Sequence, residues 1–265
     1  MRYCVLSIPR TGSTWLVNDI GHCFSILKNY IHLNEFFTPF VYDKHYKLDD
    51  NKMIYHSKEI TDKFEVCDFN EFNDSRMDIL LNGNIKQPLV LKYMYWSREV
   101  LNLKYNDLEN LKKIQNHNIK IININRNVFE SCISYCVATT SGISHKYEDN
   151  MISWYHTDLG RVLEIVQPKI IIDNTDFEII YMEFIAAFIR KQKMADELNC
   201  ITVNYNTLKR DCFNNKIPFQ LISGSKKLYN EDYSSIITNY NQLLETKEKV
   251  EKMMNFSDTI NAKEL

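Results

Sequence analysis

Residues 5–15 read Val-Leu-Ser-Ile-Pro-Arg-Thr-Gly-Ser-Thr-Trp, and this stretch decides the fold. An apolar run from Tyr3 to Ile8 ends at Pro9, a short polar turn follows, and a helical pattern begins at Trp15. This order places backbone N–H groups, hydroxyls and a guanidinium at a helix N-terminus, where phosphate binds most readily. A glycine in such a loop lets the backbone approach an anion closely, because it carries no Cβ. The stretch therefore predicts a strand, a phosphate-binding loop and a helix.

The loop differs from the nucleoside-triphosphate P-loop, Gly-x-x-x-x-Gly-Lys-Ser/Thr. When Gly12 is aligned with the second glycine, Ser7 takes the place of the first glycine and Ser13 that of the lysine, while the cation stands earlier at Arg10. The segment 9–15 instead resembles the 5′-phosphosulfate loop of the sulfotransferases, Pro-Lys/Arg-Ser/Thr/Ala-Gly-Ser/Thr-Thr, often followed by Trp. Taken alone, it also fits an ordinary strand-to-helix turn, since small polar residues are common there.

A second segment carries a cation at the end of a predicted strand. Residues 119–124, Ile-Lys-Ile-Ile-Asn-Ile, form an apolar β-type run, and Arg126 follows it before a helical pattern. Ser134 stands eight residues after Arg126 and Tyr135 comes next, which resembles the 3′-phosphate motif of the sulfotransferases. A guanidinium suits phosphate because it donates in a planar fork and stays charged. Alone, Arg126 would also fit a surface ion pair, but two phosphate motifs in the expected order favour the sulfotransferase interpretation.

The resemblance implies an enzyme that uses 3′-phosphoadenosine 5′-phosphosulfate (PAPS) and releases adenosine 3′,5′-diphosphate (PAP). The residues that it assigns to the nucleotide are Arg10, Thr11, Gly12, Ser13, Thr14, Trp15, Arg126, Ser134 and Tyr205. Arg10 would also stabilise the charge that grows as the nucleotide departs. Tyr205 ends a late apolar run and matches a family tyrosine that reaches adenine, although a tyrosine at the edge of the core is an equal alternative. A sulfonate carries less charge than a terminal phosphate, so no metal is expected.

A methionine argues against the small-phenol members of the family. Many of those enzymes use a histidine two residues after a lysine, on the strand before the 3′-phosphate motif. Here Lys92 matches that lysine, but Met94 stands where the histidine belongs. A lysine at the end of a strand is expected to be exposed, and a contact between Lys92 and the transferring sulfonate is left open.

The candidate general base is Glu35. Residues 31–37 read Ile-His-Leu-Asn-Glu-Phe-Phe, which resembles the Glu-containing segment after the second strand in carbohydrate and protein-tyrosine sulfotransferases. Burial beside phenylalanine would raise the pKa of this carboxyl toward the range useful for a base. The alternative is that Glu35 is an ordinary solvated carboxylate in a loop. His32 and His56 are the other candidate bases.

The apolar and amphipathic runs predict an α/β fold. β-type runs alternate with helical patterns, which implies βαβ units, a parallel sheet and ligands beyond the strand C-termini. We therefore expect one domain over residues 1–265, a three-layer, P-loop-like arrangement with a mostly parallel central sheet flanked by helices. The predicted strands are 3–8, 30–33, 88–92, 119–124 and 200–204, and the predicted helices are 14–27, 97–116, 128–139, 150–166, 176–197 and about 234–253.

The composition of the chain gives no reason to expect nucleic acid or an anionic membrane as a partner. The chain has 265 residues, 45% of them hydrophobic, and a net charge of −2, so no global charge favours nucleic acid or an anionic membrane. Seven cysteines, an odd number with no Cys-x-x-Cys pair, are expected to be reduced and mostly buried. No apolar run of about 18 residues and no leader pattern is found, which predicts a cytoplasmic protein.

The acceptor and two alternative functions stay open. The acceptor is expected to be a carbohydrate or another small hydroxyl-bearing metabolite, and segments 38–87 and 140–175 match no motif that would name it. The run 169–173, Lys-Ile-Ile-Ile-Asp, imitates a Walker B strand and would suit a phosphotransferase or NTPase. An inactive nucleotide-binding relative is the other alternative. Lys226 and Lys227 stand where the family often has a basic loop over the nucleotide, and the sequence leaves the oligomeric state undetermined.

Overall fold

The computed structural model describes residues 2–9, 11–13, 16–17, 20, 31–33, 44–49, 52–57, 77–78, 80–82, 88–95, 107–140, 146–147, 150–151, 170–205 and 233–257. The chain falls into two compact units. The first comprises Met1–Ser7, Gly12–Ile124 and Lys191–Gly224, and the second comprises Ile8–Thr11, Asn125–Arg190 and Ser225–Leu265. The expectation of one domain over residues 1–265 stays a prediction.

Strands and helices are interspersed along the chain. In chain order they are β1 (Arg2–Ser7), β2 (Ile31–Leu33), β3 (Lys44–Asp49), β4 (Lys52–Ser57), β5 (Leu89–Met94), α1 (Asp107–Asn116), β6 (Lys120–Asn125), α2 (Val128–Thr140), β7 (Lys146–Tyr147), β8 (Asn150–Met151), α3 (Asn174–Glu197), β9 (Ile201–Asn204) and α4 (Tyr240–Met253). A 3₁₀ turn covers Tyr233–Ser235. No helix among the described residues is long and apolar enough to cross a membrane.

The first unit is built on a sheet of five strands in the order β2-β5-β1-β6-β9. β1 pairs in parallel with both β5 and β6, and β2 pairs in parallel with β5. β5 is buried along its whole length, and β6 is buried except at Lys120. Strands that are covered on both faces read as continuous apolar runs, as these do. The predicted α/β class with a parallel central sheet is confirmed.

One face of this sheet packs against the helical segment that follows β1. Register pairs in a parallel sheet share a face, so Val5 lies in one row with Ile122 on one side and Lys92 on the other. Leu16, Val17 and Ile20 belong to the same buried cluster as Val5 and Ile122. Their spacing suits one side of a helix, and burying this side fixes the start of the helix against the sheet.

The second unit is held by aromatic contacts between its helices. The ring of Phe129 on α2 meets Phe177 and Tyr181 on α3 edge-on, with centroids 5.9 Å apart in both pairs. Tyr181 also donates a hydrogen bond of 2.7 Å from its hydroxyl to Glu251 on α4. Edge-on aromatic pairs add about 0.5–1.5 kcal/mol beyond their burial. These contacts fix the helix that follows Arg126.

Two predicted elements differ from the structure. The segment 38–87 contains an antiparallel hairpin, β3 with β4, although no strand was predicted there. Polar residues on both strands weakened the apolar alternation, but Asp50-Asn51 between them is a two-residue turn signal. The helix predicted from residue 150 is wrong at its start, because Asn150–Met151 forms β8. α4 also begins at Tyr240, later than the predicted 234, since a 3₁₀ turn precedes it.

In the first unit, the side chain of a buried lysine on α3 reaches the end of β6. The side chain of Lys191, which is 0% exposed, donates a hydrogen bond of 2.7 Å to the carbonyl of Ile124. Burial lowers the pKa of this ammonium from 10.5 to about 7, and the Cys200 thiol opposes that shift. Burial also raises the pKa of Cys200 itself to about 11, with Asp196 adding to that shift and Lys191 opposing it. Burial therefore lets the amine at position 191 lose its proton above about pH 7.

We predict that Lys191 makes stability rise with pH. Between the folded pKa of about 7 and the unfolded value of 10.5, the unfolded chain binds the extra proton, so unfolding costs more free energy as pH increases. One proton contributes a slope of at most about 1.4 kcal/mol per pH unit. Lys191→Met should remove this slope in urea unfolding between pH 6 and 9.5. Lys193→Met, which changes an exposed lysine of the same helix, should keep it, and equal slopes for the wild type and Lys191→Met would contradict the prediction.

Candidate functional site

The predicted loop after β1 has the backbone of a helix start. Thr11 is fully buried, and its hydroxyl donates a hydrogen bond of 2.9 Å to the carbonyl of Ile8. Gly12 has a φ of +82°, and its carbonyl accepts the first helical bond, from the N–H of Leu16, at 3.1 Å. Ser13 is already helical. Over the described residues, the predicted order of strand, loop and helix is confirmed.

Gly12 is required for a second reason, the ring of Tyr205. A Cβ at position 12 would lie 2.5 Å from Cδ2 of Tyr205, well inside the ordinary carbon contact of about 3.5–4.0 Å. Tyr205 is 1% exposed, so its ring cannot move away cheaply. The ring of Tyr205 therefore packs against Gly12 and leaves no room for a side chain there. This contact is not predictable from the sequence. Its contact with adenine stays a prediction.

The carboxyl end of β1 carries a buried hydroxyl. Among the described side chains, only Ser7 Oγ and Asn123 Oδ1 are buried without a hydrogen-bond partner. The carbonyl of Ser7 accepts a bond of 2.7 Å from the N–H of Tyr95, which ties the ends of β1 and β5 together. A buried polar atom without a partner costs free energy, so Ser7 Oγ marks the end of β1 as a place that suits a polar group.

Lys92 is buried, and the expectation that it would be exposed is wrong. It is 2% exposed and lies on β5, a strand that is buried along its whole length. The register pairs Val5 with Lys92 and Ser7 with Met94, so Lys92 and Ser7 share a face of the sheet near its carboxyl edge. A cation therefore stands on the same face as the buried hydroxyl of Ser7.

Arg126 is buried at the exit of β6, so its ion pair with Glu130 differs from the fully exposed pair of the surface alternative. The residue is 4% exposed. Its Nε lies 3.4 Å from Oε2 of Glu130, and its Nη2 lies 3.4 Å from the hydroxyl of Tyr233. An arginine stays charged at any physiological pH, so burial obliges the surrounding groups to offer acceptors.

The turn that carries Arg126 is fixed by a helix cap. Oδ1 of Asn127 accepts a hydrogen bond of 2.9 Å from the N–H of Glu130, and the carbonyl of Asn127 accepts one of 3.0 Å from Ser131. Asn127 is thus the N-cap of α2. The pattern Asn-x-x-Glu carries this signal in the sequence, as in a capping box. Ser134 lies further along α2 and is 9% exposed.

Several predicted site residues lie outside the described part of the chain. These are Arg10, Thr14, Trp15, Glu35, Lys226 and Lys227. The candidate bases His32 and His56 fall on β2 and β4, and His56 is the register partner of His45 in the hairpin. The roles of all of these residues stay predictions.

The run that imitates a Walker B strand serves another purpose. Ile170 forms an isolated parallel bridge with Ile237, outside the named strands. Oδ1 of Asp173 accepts hydrogen bonds from the N–H groups of Thr175 at 2.8 Å and Asp176 at 3.0 Å, so Asp173 is the N-cap of α3. None of the described residues of this run belongs to a strand of the five-stranded sheet, so the NTPase alternative loses support for its second motif.

Metal-binding side chains do not cluster among the described residues, where no group of three or more His, Cys, Asp or Glu could hold an ion.

Cys4, Cys132 and Cys136 are at most 1% exposed. Burial raises the pKa values of Cys4 and Cys132 well above their usual range. These cysteines behave as buried small hydrophobic residues, as predicted.

Comparison with known proteins gives only a distant structural likeness. No family model and no curated protein matches the chain. One similar solved structure is a crystal structure of mouse sulfotransferase SULT7A1 complexed with PAP, with 13% sequence identity, a TM-score of 0.35, and coverage of 98% of this chain and 69% of that chain. A functional conclusion must therefore rest on the residues of the chain itself.

We predict that Gly12→Ala destabilises the protein through Tyr205. The left-handed backbone alone should cost about 1–2 kcal/mol, and the overlap with the ring should add to it. In a Tyr205→Ala background the overlap is gone, so Gly12→Ala should cost less there. Urea unfolding of the four variants measures this coupling. An equal cost of Gly12→Ala in both backgrounds would show that the ring does not constrain position 12.

Proposed function

We propose that the chain transfers a sulfuryl group from PAPS to the hydroxyl of a carbohydrate or another small metabolite. One observation carries the proposal. β1 and β6 are adjacent and parallel, β1 leads into the loop of residues 9–13, and β6 leads into the buried Arg126. Ligands of open α/β sheets bind beyond the carboxyl ends of the strands. The two motifs thus follow neighbouring strands, as two phosphate sites of one nucleotide require.

Each motif is suited to one end of the nucleotide. The loop would take the 5′-phosphosulfate, since Gly12 brings its backbone close and helical N–H groups follow from Ser13. Arg126 would take the 3′-phosphate together with Ser134. Hydrogen bonds between charged groups are about twice as strong as neutral ones, and the burial of Arg126 strengthens the attraction further because water does not screen it.

The reaction needs a base, an aligned sulfonate and support for the departing nucleotide. In the proposed step the acceptor hydroxyl gives its proton to the carboxylate of Glu35 as its oxygen bonds to sulfur. The bond between sulfur and the bridging oxygen breaks, and PAP leaves with the electron pair. Arg10 would stabilise the charge that grows on that oxygen. Lys92 is a further candidate for this task, because it is a buried cation on the same sheet face as Ser7.

A thermal-shift comparison tests the nucleotide assignment. PAP at one hundred times its dissociation constant should stabilise the chain by about 2.7 kcal/mol through mass action, whereas Mg-ATP should not. Stabilisation by Mg-ATP alone would favour the phosphotransferase or NTPase alternative. Transfer of labelled sulfate from PAPS into a panel of hydroxyl acceptors then separates an enzyme from an inactive nucleotide-binding relative.

We predict that Arg126→Ala weakens binding of PAPS by about 1.5–3 kcal/mol, the range for a lost charged hydrogen bond. The loss should be much smaller for adenosine 5′-phosphosulfate, which has no 3′-phosphate. Calorimetry with both nucleotides measures the difference. Arg190→Ala, which removes an exposed arginine of α3, is the matched control and should change neither affinity. Equal losses for the two nucleotides would contradict the assignment of Arg126.

We predict that Glu35→Gln slows single-turnover sulfate transfer by about 10²–10⁴-fold, the usual effect of removing a general base. PAPS affinity should barely change, because the carboxylate addresses the acceptor. The wild-type rate should rise with pH through the pKa of Glu35, and that limb should disappear in the variant. A rate within about threefold of wild type, far from the usual loss, would move the base to His32 or His56.

A further inference from the structure

We propose that Tyr233 is a positioning residue that orients Arg126 toward the 3′-phosphate of the nucleotide. This inference rests on the proposed function, which assigns the 3′-phosphate to Arg126. Tyr233 belongs to no motif of the sequence, and it stands 107 residues after Arg126. Within the second unit, however, its hydroxyl lies next to the guanidinium.

The contact between the two side chains is buried. Tyr233 is 6% exposed and Arg126 is 4% exposed. Nη2 of Arg126 donates to the hydroxyl of Tyr233 over 3.4 Å, while Nε faces the carboxylate of Glu130 at the same distance. The guanidinium is thus held at two of its nitrogens, by a neutral oxygen at one and by an anion at the other. Holding a planar fork at two points fixes the direction of its remaining donors.

Tyr233 is itself held in place by the backbone around it. Its carbonyl accepts hydrogen bonds from the N–H groups of Ile236 at 3.2 Å and Ile237 at 3.0 Å. Ile237 bridges to Ile170, whose N–H donates to Ile236 and whose carbonyl accepts from Thr238. The 3₁₀ turn that carries Tyr233 is therefore tied to the segment that leads into α3.

A side-chain amide strengthens the same anchor. Nδ2 of Asn239 donates to the carbonyl of Ile172 at 2.7 Å, and Oδ1 of Asn239 accepts from the N–H of Ile172 at 3.2 Å. The amide thus pairs with the backbone of Ile172 as a neighbouring strand would. Because the anchor is made of backbone and amide bonds, Tyr233 can serve as a fixed point for a longer and more flexible arginine side chain.

The consequence for binding follows from the charges at the two contacts. Glu130 competes with a phosphate for the guanidinium, since both are anions, whereas the Tyr233 hydroxyl holds the guanidinium without adding negative charge. Loss of that hydroxyl removes a neutral acceptor from the guanidinium and leaves the anion of Glu130 beside it, so the 3′-phosphate should meet stronger competition. Tyr233 should therefore increase the preference for nucleotides that carry a 3′-phosphate.

The test compares PAP with adenosine 5′-monophosphate (AMP), which differ only in the 3′-phosphate. Calorimetry on the full chain gives the ratio of the two dissociation constants for the wild type, for Tyr233→Phe and for Tyr181→Phe. The matched control, Tyr181→Phe, also removes one tyrosine hydroxyl from the second unit, but that hydroxyl binds Glu251. We expect Tyr233→Phe to lower the preference for PAP by about three- to tenfold, the effect of one hydrogen bond of ordinary strength. AMP affinity should stay unchanged.

Each other outcome decides against the inference. An unchanged or increased preference for PAP in Tyr233→Phe would overturn the role of Tyr233 and leave the proposed function standing. Equal losses for PAP and AMP would show a merely structural role, and so would a reduced preference in Tyr181→Phe. If the wild type does not prefer PAP over AMP, the assignment of Arg126 fails, and the role of Tyr233 fails with it.

Discussion

The parallel pairing of β1 with β6 is the constraint on which the candidate site depends. It places Tyr3 beside Lys120 and Leu6 beside Asn123, so the two strands end at the same edge of the sheet. Two segments with different chemistry follow these ends. One is a loop whose glycine has a φ of +82°, and the other is a turn with a buried arginine. A shift in this register would separate the two motifs along the sheet without changing either of them.

Three basic side chains are buried in the described part of the chain, and their surroundings differ. Lys191 is held by a backbone carbonyl, and its pKa of about 7 lets it lose its charge in the folded state. Arg126 cannot do so, because a guanidinium stays protonated, and it is surrounded by an acid and a phenol. Lys92 lies inside the sheet, on the same face as Ser7. A lysine that loses its proton can stay buried without a counter-ion. An arginine that stays protonated continues to attract anions.

The features that the sequence could predict depend on local pattern. The strands β1, β5 and β6 are apolar runs, and their alternation with helical patterns was enough for the α/β class. The loop with Gly12 and the position of Arg126 after a strand followed from short motifs. These features need no knowledge of distant contacts, because strand ends and helix starts are specified by neighbouring residues.

The features that the sequence could not predict depend on distant contacts. The ring of Tyr205 beside Gly12 and the hydroxyl of Tyr233 beside Arg126 join residues far apart in the chain. The burial of Lys92 follows from its place on β5, since that strand is buried along its whole length. Two missed elements did have local signals, the residue pair Asp50-Asn51 between β3 and β4 in the sequence and the cap at Asn127.

An experimental structure of the chain with PAP tests the central claim most directly, because it needs no knowledge of the acceptor. Our account predicts the 5′-phosphate within hydrogen-bond distance of the backbone N–H groups of residues 11–14. It predicts the 3′-phosphate on the guanidinium of Arg126, with Tyr233 still in contact with that side chain. A nucleotide bound away from the carboxyl ends of β1 and β6, or a 3′-phosphate without contact to Arg126, would contradict it.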